Sequence, residues 1–283
     1  SFDEWNIWYQ HRAESRPPSG DDWPVAPVLL EDTYSAMDAV VFGNLLISLL
    51  RHSDRVASAS LAQLVNVIAP IMTAPGGEAW KQTTFHPFAL TSRHAAGQVL
   101  DVRVTAPSFE NTRFGESSAA DAVATWDEES GALTLFVVNR GPEGEQVLDA
   151  DLAGVGDLEL VEAVTLHHED PYAANTQDAP ETVVPAPNDS VALDGGRLVR
   201  RAAEGRFHPD DVGRHLGMAV GVAKVGEGVV HTLPRARQAP GRDQHVLGLG
   251  PVAAGVHRQG AADGAGNAGV ELQSRDARLG RGL

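Results

Sequence analysis

The hydrophobic period of the sequence changes near Gly97, and this change constrains the fold more than any other feature. Before it, short apolar runs alternate with apolar residues at helical spacing, which predicts strand, helix, strand and helix. After it, apolar and polar residues alternate with a period of two, notably in Ala122–Trp126, Leu133–Asn139 and Gln146–Leu152. The sequence therefore predicts an α/β segment over residues 1–97, followed by an all-β sandwich made of hairpins over residues 98–201.

The elements of the first segment can be placed from local signals. The first strand runs into Glu4, and Asp32 is the expected N-cap of a helix that ends near Arg51. A second strand is expected over Val56–Leu61, whose small residues suit a tightly packed barrel interior. A second helix is expected over Glu78–Ala89.

Residues 202–283 have a different composition from the rest of the chain. They contain 16 of the 29 glycines, and Phe207 is their only aromatic residue. Residues 1–201 carry 30 acidic and 12 basic residues, whereas this tail carries 8 and 10. So little apolar bulk predicts a tail of low order, because burial would not offset the loss of chain entropy. A flexible extension and translation in a shifted reading frame are both consistent with the abrupt change.

The overall composition limits the functional classes. A formal charge of −16 argues against nucleic-acid binding, and the absence of cysteine excludes disulfides and thiolate metal sites. The longest apolar run, near Ala39–Leu50, is too short to cross a membrane. We therefore expect neither nucleic-acid nor membrane partners, and the lack of cysteine is compatible with the cytoplasm. Because the chain opens inside a strand and without Met, we expect it to be part of a longer protein.

The first nine residues carry the strongest chemical signal. Glu4 stands at the end of the first strand and is followed by Trp5, Trp8 and Tyr9. Sites that cleave sugars combine a carboxylate, which attacks the anomeric carbon, with aromatic rings that stack on the apolar faces of the sugar. Glu4 is therefore a candidate nucleophile. Taken alone, a single Glu beside two tryptophans is more often a surface or structural residue.

Three stretches together resemble the α-L-arabinofuranosidases of glycoside hydrolase family 51. These are Phe2–Tyr9 (FDEWNIWY), Leu61–Ile71 (LAQLVNVIAPI) and Ala79–Phe88 (AWKQTTFHPF). Their order and spacing make the resemblance specific. It continues weakly through the β segment and stops near Gly196–Arg197.

The resemblance implies a fold and a set of site residues. The fold is the last two strand–helix units of a (β/α)8 barrel over residues 1–97, followed by an incomplete jelly-roll β-sandwich over residues 98–201. Glu4 matches the family nucleophile, Gln63 matches a residue that contacts arabinose, and Trp8 matches the leaving-group side of the site. Asp3 and Asn6 are expected to hold the geometry around Glu4 by hydrogen bonding. The family acid/base is a Glu preceded by Asn, and the sequence contains no Asn-Glu pair.

The activity implied by the resemblance is retaining, exo-acting hydrolysis of terminal α-L-arabinofuranose from arabinan and arabinoxylan oligosaccharides. No cofactor is expected, the parent enzyme is expected to be a homo-oligomer, and the cytoplasm is the expected location. Because the acid/base is missing, the polypeptide alone is expected to be inactive. Two alternatives remain open: a non-catalytic β-sandwich module with a barrel remnant, and a related retaining barrel enzyme that acts on another glycan.

One further cluster suggests a metal site at first sight. His167-His168-Glu169-Asp170 groups four potential ligands, but adjacent residues of a strand point to opposite faces and rarely meet at one ion. We interpret this cluster as a solvated strand end, and no metal is expected.

Overall fold

The computed structural model describes residues 1–9, 20–21, 23, 25, 31–141, 146–152, 155, 157–194, 196–200, 217–225, 246–247 and 266–273. Within these residues the protein is mostly β-structure with two helices, α1 (Ala36–Arg51) and α2 (Phe85–His94). The strands are β1 (Phe2–Trp5), β2 (Ser58–Leu61), β3 (Ile71–Met72), β4 (Trp80–Lys81), β5 (Gln98–Thr105), β6 (Ser108–Asn111), β7 (Gly115–Ser118), β8 (Ala120–Asp127), β9 (Ala132–Asn139), β10 (Gln146–Asp151), β11 (Leu158–His167), β12 (Pro185–Pro187), β13 (Val191–Asp194), β14 (Arg197–Arg200), β15 (Gly217–Val225), β16 (Val246–Leu247) and β17 (Gly266–Gln273).

The first segment contains two parallel strands joined through a helix. β1 pairs in parallel with β2, and α1 lies between them in the chain, as the sequence predicted. β16 extends this sheet to three strands by pairing in parallel with β2. The order strand, helix, strand and helix is therefore present, although short β3 and β4 come before α2. Assignment of this segment to a (β/α)8 barrel stays a prediction.

Helix α1 begins later than predicted, because Ser35 and not Asp32 is its N-cap. Ser35 and Asp38 form a capping box, in which the Ser35 N–H donates to Asp38 Oδ2 at 2.6 Å and the Asp38 N–H donates to Ser35 Oγ at 3.4 Å. Asp32 is buried, and its backbone N–H donates to the carbonyl of Val67 at 3.1 Å. Asp32 therefore belongs to the loop before the helix.

Helix α2 also differs from the prediction, which placed a helix over Glu78–Ala89. Trp80–Lys81 instead pairs with Ile71–Met72, and the helix begins at Phe85. This start places Pro87 in the first helical turn, where the missing N–H costs nothing. A helix that began at Glu78 would carry Pro87 in its interior, where proline breaks the hydrogen-bond ladder.

Burial of His86 in α2 should make stability depend on pH. Desolvation, assisted by the nearby positive charge of Lys81, lowers the pKa of His86 from 6.5 to about 4. The unfolded chain therefore takes up a proton at a higher pH than the folded chain, so the free energy of unfolding decreases as the pH falls from 6.5 to about 4. After solvent screening we expect a loss of about 1–2 kcal/mol. Urea unfolding at several pH values should show a shallower dependence for His86→Gln, and an unchanged slope would contradict this.

The β segment is a sandwich of two layers, and strand β5 belongs to both of them. Gln98–Leu100 of β5 pairs with β8, whereas Asp101–Thr105 pairs with β17. One layer has the order β12-β11-β15-β9-β8-β5, and the other has β5-β17-β10-β14-β13. Alternate residues of the two layers meet in a common apolar core, as expected for stacked sheets. Its buried members are Ala122, Ala124, Trp126, Leu133, Leu135, Ala150, Leu152, Val155 and Leu198.

The sandwich is not the simple meander of hairpins that the sequence suggested. β8 and β9 do form the predicted antiparallel hairpin, from Ala120 opposite Asn139 to Asp127 opposite Ala132. β10, however, pairs with β14 and β17 in the other layer. The physical reason is burial: Ala150 and Leu152 gain a covered face only when β10 lies opposite β8 and β9.

Three described segments of the tail form strands, whereas the sequence predicted a tail of low order. β15, β16 and β17 lie between residues 202 and 283, and all three pair with strands from earlier in the chain. Met218, Val220 and Val222 of β15 are buried, so even this glycine-rich region offers one apolar face. The other tail residues lie outside the described part of the chain.

Helix α1 covers the outer face of the first sandwich layer. Val40, Ile47 and Leu50 pack against Phe136 and Val138 of β9 in a second apolar cluster. The α/β segment and the sandwich therefore share a core. Of the helices that the structure describes, neither has the length and apolar character required to cross a membrane.

Candidate active site

Glu4 lies at an irregularity in β1 that turns its side chain outwards. Phe2 pairs with Ala59 and Trp5 pairs with Leu61, so β1 carries one residue more than β2 between these pairs. Glu4 has a φ of +74°, in the left-handed region that non-glycine residues rarely occupy. Extra residues of this kind re-aim side chains, and local strain of about 1–3 kcal/mol is often found at functional sites. The carboxylate of Glu4 is exposed.

The side chain of Trp5 fixes this irregular strand to the two helices. Its side chain is fully buried and stacks on Phe42 of α1, with ring centroids 4.3 Å apart and planes 21° apart. Phe88 of α2 lies 6.5 Å away on a tilted plane. The sequence grouped Trp5 with the aromatic residues that stack on sugar, and this interpretation is wrong because both helices cover the ring.

Asn6 connects the end of β1 to the loop that follows β2. Its side-chain amide is buried and donates to the carbonyl of Ala62, at 2.6 Å, and to that of Ile68. Its Oδ1 accepts a hydrogen bond from the N–H of Ile7 at 2.8 Å. One side chain therefore fixes both ends of the 62–68 loop relative to the strand that carries Glu4. A role of Asn6 in tuning Glu4 stays a prediction.

Gln63 begins that loop and lies at the same edge of the sheet as Glu4. The carboxyl ends of parallel β1 and β2 are adjacent, and the N–H of Ala62 donates to the carbonyl of Trp5 at 3.1 Å. The Gln63 side chain is exposed, and its Nε2 donates to the carbonyls of Val65 and Asn66 at 3.1 and 3.2 Å. Its amide is thus oriented by its own loop.

Asn66 holds the far side of this loop. Its φ of +61° lies in the left-handed region, which Asn tolerates better than most residues. The N–H of Thr73 donates to Asn66 Oδ1 at 2.7 Å, and Asn66 Nδ2 donates to Thr73 Oγ1 at 2.8 Å. The loop is therefore closed by side chains at both of its ends.

The remaining candidate residues occupy different environments. Asp3 is exposed and accepts a hydrogen bond from the hydroxyl of Ser1. Trp8 is half-buried, and its enclosed indole N–H has no hydrogen-bond partner among the residues that the structure describes. Tyr9 is also half-buried, and its hydroxyl donates to Asp38 in the first turn of α1. Contact of Trp8 with substrate stays a prediction.

Sequence reasoning missed Gln82, whose side chain holds the backbone next to the 62–68 loop. The side chain is buried, and its Oε1 accepts from the N–H of Tyr34 at 2.9 Å. Its Nε2 donates to the carbonyl of Asp32 at 3.0 Å and to that of Ala69 at 2.9 Å. Gln82 lies within one of the three resembling stretches, but nothing local distinguishes it from a surface amide.

Replacement of Gln82 should destabilise the protein without affecting the sandwich directly. Gln82→Met keeps the volume but leaves three buried backbone groups without their partner, which should lower the free energy of unfolding by about 2 kcal/mol. Urea unfolding measures this loss. Gln177→Met is the matched control, because Gln177 is exposed and its replacement should change stability by less than about 0.5 kcal/mol. Equal effects of the two substitutions would contradict the assignment.

A loop from the β segment contacts the backbone next to Gln82. Asn175 is buried, and its Nδ2 donates to the carbonyls of Lys81 and Val183, both at 3.0 Å. The carbonyls of Pro171 and Ala173 accept from the first N–H groups of α1 at 2.9 and 2.8 Å. The sandwich thus supports the α/β segment close to Gln82. Nothing in the sequence predicted this contact.

A cavity of about 80 Å³ lies away from these residues, between the ends of α1 and α2 and the start of β5. Leu49, Val56, Thr91, Gly97 and Thr125 are among the residues that line it. Ligand pockets usually measure about 300–1,000 Å³, so this space is too small for a sugar site. The open edge that carries Glu4 and Gln63 remains the better candidate.

Comparison with known proteins relates the chain as a whole to one enzyme class. The sequence model of the family described as "Alpha-L-arabinofuranosidase C-terminal domain" matches residues 3–203. An intracellular exo-α-(1→5)-L-arabinofuranosidase of Streptomyces lividans is 52% identical over 198 residues, which are 70% of this chain and 30% of the relative. An exo-α-(1→6)-L-arabinofuranosidase of Bifidobacterium longum is 50% identical over 196 residues, which are 69% of this chain and 37% of the relative. The chain thus spans well under half of these relatives.

Solved structures give the same result. A family 51 α-L-arabinofuranosidase from Bifidobacterium longum superposes with a TM-score of 0.65 at 41% identity, over 77% of this chain and 40% of that one. A family 51 arabinofuranosidase from Xanthomonas axonopodis pv. citri superposes with a TM-score of 0.62 over 78% of this chain and 40% of that one. Its identity is 21%, so it supports the fold alone.

Proposed function

Because the chain belongs to the α-L-arabinofuranosidases of glycoside hydrolase family 51, as a C-terminal part of such an enzyme, we propose that Glu4 is the nucleophile of a retaining hydrolase. The substrate would be terminal α-L-arabinofuranose on arabinan or arabinoxylan oligosaccharides. The single observation that carries the proposal is the placement of Glu4. It is exposed on a left-handed residue at the carboxyl end of a parallel strand, beside the loop that begins with Gln63.

The proposed step is a displacement at the anomeric carbon. A carboxylate oxygen of Glu4 forms a bond to this carbon while the bond to the leaving oxygen breaks, which produces a glycosyl ester and an alcohol once a proton is supplied. Water then cleaves the ester and restores the carboxylate, so the anomeric configuration is retained. The buried anchor of Trp5 and the amide of Asn6 keep the strand fixed during both steps.

The neighbouring side chains suit a pentose. Because Nε2 of Gln63 donates to the carbonyls of Val65 and Asn66, we propose its Oε1 as the atom that accepts from a sugar hydroxyl. The half-buried indole of Trp8 offers an aromatic face for the leaving-group side of the sugar. We propose these two residues as substrate contacts, with Asn6 as a positioning residue.

The proton donor would come from a second carboxyl about 5–5.5 Å from the nucleophile, as retaining enzymes require. The family places this group on a Glu that follows Asn, and the sequence has no Asn-Glu pair. We therefore expect the polypeptide alone to show no turnover. Its activity should appear when it is joined to the remaining length of a relative, and the relatives' intracellular names support a cytoplasmic location for the parent enzyme.

A chimera tests the proposal directly. Residues 3–200 of this chain replace the corresponding segment of the Streptomyces lividans relative, which supplies the missing length. An arabinofuranose-configured cyclic sulfate, which alkylates carboxylate nucleophiles without prior protonation, is then added and the labelled peptide is mapped by mass spectrometry. We expect the label on Glu4. A label on another carboxylate, in a chimera that turns over substrate, would refute the assignment.

The absence of an Asn-Glu pair leaves a second candidate open, a non-catalytic β-sandwich module with a barrel remnant. The chimera separates the two, because a module that never formed part of an active site would give a folded but inactive protein. Comparison of aryl α-L-arabinofuranosides with β-linked substrates would reveal an enzyme that acts on another glycan.

A further inference from the structure

The tail contributes a strand to the middle of the sandwich. β15 lies between β9 and β11 and pairs in antiparallel register with both, with Val220 opposite Phe136 on one side and Val164 on the other. The match to the family ends at residue 203, so this central strand comes from outside the matched range. A sheet that ended at residue 203 would hold β9 and β11 with a strand-wide gap between them.

The sequence of β15 suits this position on its helix-facing side. Met218, Val220 and Val222 are buried in the cluster that also contains Ile47 of α1 and Phe136 of β9. On the opposite face, a Cβ added to Gly221 would lie 3.6 Å from Leu198 of the second layer, in ordinary contact. Bulky residues therefore face the helix, and small residues suit the narrower space between the layers.

Gly43 leaves a depression in the surface of helix α1, called the notch here, against which this strand packs. A Cβ added to Gly43 would lie 2.8 Å from Sδ of Met218 and 3.3 Å from Cγ2 of Val138. Gly43 lies in the interior of α1, where glycine is less favourable than alanine by about 0.5–1 kcal/mol. A residue inside the family-matched part of the chain is therefore shaped to fit one that lies outside it.

We propose that β9, β11 and the facing side of α1 form a strand-acceptor site, and that residues 217–225 are the donor strand that fills it. The ligand class is an extended peptide with bulky apolar residues at alternate positions and Gly or Ala between them. Backbone hydrogen bonds to both neighbouring strands provide affinity, and the notch at Gly43 provides register. An empty site would expose two strand edges and the apolar side chains of Phe136 and Val138.

The first test uses Val220→Asp in the full chain, with hydrogen exchange as the measurement. A carboxylate in this buried cluster should expel the strand, so the amides of β9 and β11 should lose at least about tenfold of their protection. Val161→Asp is the matched control, because Val161 lies on β11 but is exposed at the irregularity between Leu160 and Glu162. Equal protection of β9 in Val220→Asp and the unmodified chain would overturn the proposal.

The second test adds the donor in trans. A synthetic peptide with the sequence of residues 217–225 is titrated into the Val220→Asp chain, and a peptide carrying the same substitution is the control. We expect saturable restoration of exchange protection in β9 and β11 by the unmodified peptide alone. If the variant retains its fold in the α/β segment and neither peptide restores protection, the site does not accept a separate strand and the proposal is wrong.

The third test remains informative when Val220→Asp does not fold at all. Gly43→Ala should lower Tm by a few degrees in the unmodified chain, because the new methyl group meets Met218. In a Met218→Ala background the same substitution should lower Tm less than in the unmodified chain, since the contacts with Met218 are removed and Val138 Cγ2 at 3.3 Å remains. A change of the same sign and size in both backgrounds would show that the strand does not rest on the notch. None of these results depends on hydrolysis, so they stand apart from the proposed function.

Discussion

Glu4→Gln in the chimera should lower kcat for an aryl α-L-arabinofuranoside by about 10⁴-fold or more, the scale at which loss of a catalytic nucleophile is usually felt. The amide has the shape of the carboxylate but not its charge, so it cannot form the glycosyl ester. Because Glu4 is exposed and lies outside the buried clusters, Tm should remain unchanged. Steady-state kinetics and thermal unfolding measure the two quantities on the same sample.

A matched control and a chemical rescue make this result specific. Glu78→Gln removes another exposed carboxylate of the α/β segment and should leave kcat within about twofold of the parent chimera. Glu4→Gly opens space for azide, which should attack from the vacated side and give an arabinosyl azide of inverted configuration. Activity that survives Glu4→Gln, or rescue that gives the retained product, would assign the nucleophile to another residue.

The backbone of Glu4 adds an independent check on this role. Its φ of +74° suits glycine, so Glu4→Gly relieves backbone strain of about 1–3 kcal/mol in the folded state. The greater conformational entropy of glycine in the unfolded chain offsets about 0.5–1 kcal/mol of this gain. We expect Glu4→Gly to be at least as stable as Glu4→Gln. Strain that is removed together with activity is the pattern of a residue held in place for function.

The sequence predicted the order of elements better than their ends. Apolar residues at helical spacing identified α1, and alternation identified β8 and β9, whereas small residues suggested β2. The start of α1 was placed at Asp32 because Asp and Ser are both good N-caps. In the structure Ser35 forms the capping box with Asp38, while the N–H of Asp32 donates to the distant Val67. The partner of β10 was equally hidden, since alternation states that a strand has a buried face but not which layer covers it.

Some residues of the candidate site could be predicted from the sequence, and others could not. Glu4 and Gln63 could be named from sequence because each lies at the carboxyl end of an expected strand, within a stretch that resembles one family. Gln82 and Asn175 could not, because they act on the carbonyls of Asp32, Ala69 and Lys81, which are 50, 13 and 94 positions away along the chain. Contacts of side chains with remote backbone leave no periodic signal, so only the folded structure reveals them.

The junction between α1 and the sandwich depends on one carboxylate, Asp121 of β8. Both NH groups of the Arg51 guanidinium donate to its two oxygens, one of them at 3.2 Å, and Arg51 also donates to the carbonyl of Ala122 at 2.7 Å. Arg140 approaches the same carboxylate at 3.8 Å and donates to Asn44 of α1 at 2.9 Å. A single acidic group therefore neutralises two cations that bridge the two segments.

Asp121→Ala should therefore lower the free energy of unfolding by about 3 kcal/mol, because it leaves Arg51 and Arg140 without their counter-ion in a largely buried position. The Asp121 side chain is 12% exposed, whereas Arg51 is 37% exposed, which places the loss at the low end of the range for buried pairs. Asp149→Ala is the matched control: it also removes a carboxylate from an Arg pair, but Arg197 and Asp149 are 51% and 41% exposed, so about 0–1 kcal/mol is expected. Urea unfolding monitored by tryptophan fluorescence compares the two variants. Equal losses would mean that the position of Asp121 between α1 and the sandwich adds nothing to its stability.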